Sequence, residues 1–297
     1  MEPFFINTKC LFCNYENDQV IYPPRLNPSS FTNYTFSARR KRKREHYQIV
    51  LCKGCSLVRS NPVLDENTIN SLYRSSLLIY SEEIPYVSHT YASLLTNFIS
   101  IYKLNIHSLL EIGCGPGFFL EKTIDLGIPE VVGFEPSKEC CRLAPEKIKG
   151  KIINDLFKPK LLDNKKYDIA CLFHIIDHLK DPKETLISIK EVLNPKGYIL
   201  IVCHDVESWS AKLLGSFSPI YDVEHIYLFS KKTIVMLLEK AGFEVLEIGS
   251  LFNTYPLSYW MRMLPIEKNV LRFIPKFLKD IPVSLKAGNL YLYGKKN

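Results

Sequence analysis

Glycine is scarce in this chain: 13 residues of 297. Methionine (4) and tryptophan (2) are scarcer, which leaves the core to aliphatic residues, tyrosine and phenylalanine. No apolar run approaches the roughly 18 residues that span a bilayer, so no transmembrane helix is expected. The opening MEPFFINTKC lacks a basic region followed by an apolar stretch, so no secretory signal is expected either. Internal repeats and low-complexity tracts are missing. Broad positive charge is also missing. The formal charge is +7, but Arg39–Arg44 alone carries six of those charges, leaving the rest close to +1. The basic balance thus reports one local run and not a nucleic-acid face over the whole protein. The nine cysteines are odd in number, and four of them form two CxxC pairs. That pattern reads as metal ligation in a reducing, cytoplasmic setting and not as a disulfide framework.

What is present suits an enzyme-sized soluble chain, with 46% hydrophobic and 23% charged residues. The sequence divides into five stretches. Residues 1–62 hold both CxxC pairs and the basic run and show no sustained helical period, which predicts a small zinc-binding module. Residues 63–104 predict a helical linker or lid, with Asp65 as N-cap before Ile69, Leu72 and Tyr73. Residues 105–250 alternate short apolar runs with helices. The expected strands are 108–112, 131–135, 151–154, 168–173, 198–203 and 244–248. The expected helices are 118–126, 182–193 (capped by Asp181) and 231–241 (capped by Ser230). Such alternation predicts a parallel sheet with helices on both faces. Residues 251–288 read as an insertion, and 289–297 as the last strand.

Three of the few glycines fall within five positions, in LLEIGCGPGFFLEK (Leu109–Lys122). Gly113, Gly115 and Gly117 leave a strand and open a helix, the context of a nucleotide-binding turn. The absent Cβ lets a ligand touch the backbone. A dinucleotide favours GxGxxG, yet the third glycine here comes one residue early. Glu111 places a carboxylate where a pyrophosphate would be repelled and an ammonium welcomed. Glu135 ends the next strand, where it can accept from a ribose diol. A ligand with ammonium, ribose and adenine but no phosphate fits this set, which is S-adenosylmethionine.

Together with VVGFEPS, NDLF and YDIACLFHIIDHLKDPKETLISIKEVLNPKGYILI, the turn resembles the class I S-adenosylmethionine-dependent methyltransferases. The resemblance covers about residues 105–250. It implies a Rossmann-like seven-stranded α/β sheet with an antiparallel last strand, beside the small N-terminal module. It further implies that Glu111, Gly113, Gly115 and Gly117 line the methionine and ribose. Glu135 would hold the ribose hydroxyls, Asp155 would accept from the adenine amino group, and Leu156 would lie beside the ring. Phe173 and His174 would border the sulfonium.

Cys10-Leu11-Phe12-Cys13 and Cys52-Lys53-Gly54-Cys55 can each wrap one side of a tetrahedral ion, predicting structural Zn2+ on Cys10, Cys13, Cys52 and Cys55. Asn14 and Ser56 stand where such knuckles often carry glycine. The arrangement also resembles a zinc ribbon that precedes some bacterial methyltransferases of sugars and other small metabolites. YQIVLCKGCSLVRSNPVLDENTINSLY and SPIYDVEHIYLFSKKTIVMLLEKAGFEV carry that likeness. A four-thiolate ion has no open position, so it would be structural and not catalytic.

Methyl transfer needs a positioned nucleophile and, for a hydroxyl, a base. The candidates are His204, adjoining Asp205 after the fifth strand, then His225, and His178 after the fourth strand beside His174 and Asp177. The resemblance also implies a structural role for His178, as part of a helix cap. The stretch after the fourth strand lacks the Asn/Asp-Pro-Pro-Tyr/Phe pattern of amino-methylating nucleic-acid enzymes, and no Pro-Cys nucleophile of the cytosine type is present. The insertion alternates Arg262, Lys268, Arg272, Lys276 and Lys279 with apolar groups and is broken by Pro265 and Pro275. It reads as a lid or homodimer element, or alternatively as a peripheral membrane contact. The leading expectation is O-methylation of a sugar, glycan precursor or other small molecule. The alternatives are an RNA-modifying enzyme that uses the module and Arg39–Arg44 to bind nucleic acid, and a non-catalytic scaffold.

Overall fold

A computed structural model describes residues 4–13, 18–26, 31, 35–36, 45–78, 83–263, 275, 278 and 280–297. Arg39–Arg44, Asn14, Pro265, Lys268, Arg272, Lys276 and Lys279 lie outside these residues.

The centre is a seven-stranded sheet. Its spatial order is Phe243–Ser250, Asn289–Lys296, Leu193–His204, Tyr167–Phe173, Ser108–Ile112, Glu130–Phe134 and Ile152–Ile153. Asn289–Lys296 runs antiparallel to both neighbours, and the pairings from Leu193–His204 to Ile152–Ile153 are parallel. All five residues of Ser108–Ile112 are buried. Leu110, Ile112, Ala170 and Leu172 pack on one face, and Leu109, Ile169, Cys171 and Phe173 on the other. This is the period of two that a strand covered on both sides requires. The observed strands lie close to those expected. Leu193–His204 begins five residues early because a bulge between Leu193 and Tyr198 absorbs the turn at Lys196, whose φ is +64°.

Side-chain caps set the helix starts. Asp65 accepts from Thr68 N, Asp181 from Glu184 N, and Ser230 forms a capping box with Thr233. The helix Ile84–Tyr102 lies on one sheet face. Tyr91 stacks on Phe173 with centroids 4.0 Å apart, and Phe98 on Tyr293 at 4.2 Å. Among the described residues no helix is long and apolar enough to cross a membrane.

The cysteine-bearing segment forms a second sheet, ordered Tyr227–Leu228, Val58–Ser60, Ile49–Cys52 and Asp18–Tyr22. Its edge strand comes from residues far beyond the segment itself. Phe36, Tyr47, Leu57, Val63 and Leu64 share one apolar core with Leu110, Leu172 and Ile201 of the large sheet. Arg59, 3% exposed, forms a two-pronged ion pair with Asp18 inside this small sheet. In the insertion, Asn253–Pro256 pairs antiparallel with Pro282–Leu285 around the seven-residue helix Leu257–Met263.

Candidate functional site

Strand order reverses between Ser108–Ile112 and Tyr167–Phe173, and in open α/β sheets ligands sit beyond the strand ends at that point. The glycine turn lies there. Gly113 N and Cys114 N both donate to Phe134 O, pinning the turn to the next strand. Gly113, Gly115 and Gly117 have φ of +73°, +56° and +78°, a region costly for residues with a Cβ. Their surroundings differ. A Cβ on Gly113 would fall 2.1 Å from Ile175 Cδ1, and one on Gly117 2.1 Å from Ile148 Cδ1. At Gly115 nothing among the described residues lies within 4 Å. Two glycines are therefore also needed for packing, and Gly115 faces open space.

Glu135 closes this turn, accepting from Gly115 N at 2.9 Å and Ser137 N at 2.7 Å. Burial raises its pKa to about 7 against the pull of those two amides. Glu111 lies beneath, 3% exposed, and its Oε2 has no hydrogen-bond partner among the described residues. Burial, reinforced by Glu135, holds its pKa well above the carboxylate range. A cation arriving above the turn would satisfy that buried oxygen. Glu111, Gly115 and Glu135 could thus hold an ammonium and a ribose.

The remaining cofactor candidates have other partners. Asp155 accepts from Arg74 at 2.5 Å and Lys158 at 2.6 Å, and from Leu156 N at 2.8 Å. These partners, Lys158 foremost, lower its pKa to about 2. An adenine amino group would meet a carboxylate already bridged by two cations. Leu156 is half-buried beside it. Phe173 is packed inward between Tyr91 and Phe119. His174 takes a left-handed φ of +55° and its N–H donates to Val202 O at 2.8 Å, turning the chain over the end of the sheet. Asn154, which the sequence reading did not single out, braces the loop by donating to Glu135 O at 2.8 Å.

The three catalytic candidates converge. His204 lies 4.7 Å from His174 and 4.4 Å from His225 by ring centroids, and His225 lies 5.0 Å from His178. Their common centre is Asp177, which has no accessible surface. The expected coupling of His204 to Asp205 is not what forms. His204 Nδ1 bonds to Asp177 Oδ2, while Asp205 accepts from Glu207 N at 2.9 Å. Successive side chains leave a strand on opposite sides, so neighbours in sequence rarely share a site. Burial pushes the Asp177 pKa up, but the charge and hydrogen bond of His204, with His178 and His225, bring it well below the carboxylate range. His178 does not cap a helix through its ring: Nδ1 lies 2.9 Å from Tyr73 Oη. His225 Nδ1 donates to Ile220 O at 2.6 Å. Ser60 Oγ donates to His225 O at 2.7 Å, so the small sheet holds the His225 segment in place. Ile175, two residues before Asp177, packs on Gly113, which makes this cluster contiguous with the glycine turn.

The four module thiols also meet. Cys10 Sγ is 3.3 Å from Cys55 Sγ and 3.6 Å from Cys13 Sγ, and Cys13 is 3.5 Å from Cys52. Thiolates about 2.3 Å from a tetrahedral ion stand about 3.8 Å apart, so the four could hold one. Burial raises the Cys52 thiol, but the amides of Cys55 and Gly54 with the Cys13 thiol outweigh it and bring it to about 7. Ser56 adopts the left-handed φ (+67°) that the knuckle demands.

This sheet order, with a glycine turn at its switch point, defines a class I methyltransferase fold. Residues 84–248 match the methyltransferase domain family, and the chain belongs to it. It is 32% identical over 149 residues to an uncharacterized methyltransferase of Schizosaccharomyces pombe, covering 42% of this chain and 51% of that protein. It is 27% identical to a tRNA U34 carboxymethyltransferase of Aliarcobacter butzleri, over 55% of each chain. It is 24% identical to a mitochondrial ubiquinone biosynthesis O-methyltransferase of Dictyostelium discoideum, over 40% of each. The chain spans about half the length of the first two of these relatives. The plantazolicin methyltransferase BpumL, solved with S-adenosylhomocysteine, shares the fold with a TM-score of 0.50 at 22% identity, covering 72% of this chain and 86% of that one.

Proposed function

We propose that this chain transfers the methyl group of S-adenosylmethionine to an oxygen of a small polar acceptor, of the sugar or glycan-precursor class, in the cytoplasm. The observation that carries this reading is the buried His204–Asp177 pair, contiguous with the glycine turn at the ends of the fourth and fifth strands. The cofactor, when bound, supplies an activated methyl group. Glu111 faces its ammonium, the backbone at Gly113, Gly115 and Gly117 leaves room for its methionine and ribose, and Glu135 accepts from the ribose hydroxyls. Asp155 and Leu156 flank the adenine, and the backbone at Phe173 with His174 borders the sulfonium. Asp177 holds His204 through Nδ1, so Nε2 takes the proton of the acceptor hydroxyl. His225 and His178 complete the wall.

In the same reading, Cys10, Cys13, Cys52 and Cys55 hold a structural zinc. Residues 1–62 act as a ribbon over the acceptor side, 63–104 as a linker or lid, 105–250 with 289–297 as the core, and 251–288 as a surface element. An open cleft of about 390 Å³ lies past the fifth strand on the Asp205 side, and in this reading it receives the charged part of the acceptor. Asp205, Glu207, Trp209, Lys212, Lys231 and Lys286 are among its lining residues, and three lysines against two carboxylates, with an exposed indole, suit the phosphates and base of a nucleotide-sugar.

A screen with labelled donor against nucleotide-sugars, glycan precursors and tRNA tests the reading. Once an acceptor is found, His204→Ala should lower kcat/KM by roughly 10²–10⁴-fold with S-adenosylhomocysteine affinity retained. Unchanged turnover would remove His204 as the base. The tRNA-modifying relatives support a second reading, an RNA acceptor. It requires salt-sensitive tRNA binding that is lost when Arg39–Arg44 is neutralised; binding indifferent to that change would count against it.

A further inference from the structure

The buried cluster around Asp177 contains more ligating groups than a proton relay needs. His204 and Asp177 suffice as base and orienter, yet His178 and His225 press on the same carboxylate. One donor atom each of Asp177, His178 and His225 lies within 4.8 Å of the others. Each of these side chains is oriented from behind. His225 Nδ1 is 2.6 Å from the carbonyl oxygen of Ile220. A carbonyl only accepts, so this nitrogen carries the proton and Nε2 carries the lone pair. His178 has Nδ1 on Tyr73 Oη at 2.9 Å, which leaves Nε2 as its ligating atom when Nδ1 carries the proton. Asp177 gives Oδ2 to His204, while its Oδ1 is buried without a hydrogen-bond partner among the described residues. Outer hydrogen bonds that fix ring orientation, with inner donor atoms converging, are the pattern of metal-ligating histidines. A second triad, His174, Asp177 and His204, shares the carboxylate, but there Asp177 Oδ2 is already committed to His204.

We propose that Asp177, His178 and His225 form a site for a divalent first-row metal ion, distinct from the four cysteines. Two imidazoles and one carboxylate suit zinc, iron(II), cobalt or manganese better than magnesium or calcium, which prefer all-oxygen sets. Three protein ligands leave coordination positions open. An acceptor oxygen bound there would be polarised beside His204 and more easily deprotonated. The inference rests on the reading of this end of the sheet as the acceptor site.

Cobalt(II) tests it on the full chain, because thiolate ligation gives intense charge-transfer bands and an N/O site gives only weak ligand-field bands. Two equivalents should bind per chain, one with each signature. Asp177→Asn and His225→Ala should each lose the weak-band equivalent and keep the thiolate one. His178→Gln serves as a third variant should either fold poorly, with far-UV circular dichroism as the check. Binding of a single thiolate equivalent overturns the proposal, as does a second equivalent retained in all folded variants. Methyl transfer is assayed separately. Turnover without the second ion leaves the reaction standing and removes the metal; the second ion bound with no turnover on any acceptor does the reverse.

Discussion

Replacing Gly115 with Leu is expected to weaken S-adenosylhomocysteine binding by roughly 100-fold or more, about 2.8 kcal/mol, while the chain still folds. A Cβ at Gly115 meets nothing within 4 Å among the described residues, so the new side chain enters the space that the cofactor would fill. The left-handed φ of +56° adds a penalty of about 1–2 kcal/mol, which lowers thermal stability modestly. Gly117→Ala is the contrast. Its φ penalty is similar, but its Cβ would fall 2.1 Å from Ile148 Cδ1 and 3.0 Å from Ile152 Cδ1. Overpacking costs about 1–3 kcal/mol more, so this variant should lose more stability, read as a drop in Tm of roughly 5–15 °C. Calorimetric titration with thermal unfolding separates the two. Equal affinities for Gly115→Leu and the wild type would mean that the cofactor lies elsewhere.

Removing the zinc proposed for Cys10, Cys13, Cys52 and Cys55 is expected to abolish turnover and leave cofactor binding within a few-fold of wild type. Structural zinc in cysteine sites contributes about 10–16 kcal/mol of apparent binding free energy, far more than so small a sheet can supply itself. Cys52 ends the strand Ile49–Cys52, which pairs with Val58–Ser60, which in turn pairs with Tyr227–Leu228. Ser60 also holds His225 O. Cys52→Ser, or a strong chelator, should therefore release the segment that carries His225 while the glycine turn, pinned to Phe134, persists. Zinc content, near-ultraviolet dichroism and donor binding report this together. A Cys52→Ser chain with full zinc content and full turnover would sink the ribbon's role.

Much of this arrangement is local and therefore legible in the sequence. Asp65, Asp181 and Ser230 can be read as helix starts because capping needs only four consecutive residues. Ser108–Ile112 is evident because both of its faces are buried. What the sequence hides is pairing at long range. Tyr227–Leu228 is a two-residue strand whose partner, Val58–Arg59, lies far back in the chain, and no periodicity marks so short an element. The partner of His204 is hidden for a related reason. Asp205 is its neighbour in sequence, but the pleat turns the two apart, and Asp177 arrives from another strand's end. The two glycines with packing duties read the same as the one facing open space, because a missing Cβ does not say what replaces it.

The central claim is that the turn after Ser108–Ile112 binds an adenosyl sulfonium and not a dinucleotide. Calorimetric titration of the wild-type chain with S-adenosylhomocysteine and with NAD+, at about pH 8 and about pH 6, tests it directly. Glu135 has its pKa raised to about 7 by burial, so its carboxylate is present at the higher pH and is protonated through the lower one. S-adenosylhomocysteine should bind with one site per chain, and up to about tenfold more weakly at the lower pH, while NAD+ should give no heat of binding. No binding of S-adenosylhomocysteine at either pH, or saturable binding of NAD+, would contradict the account.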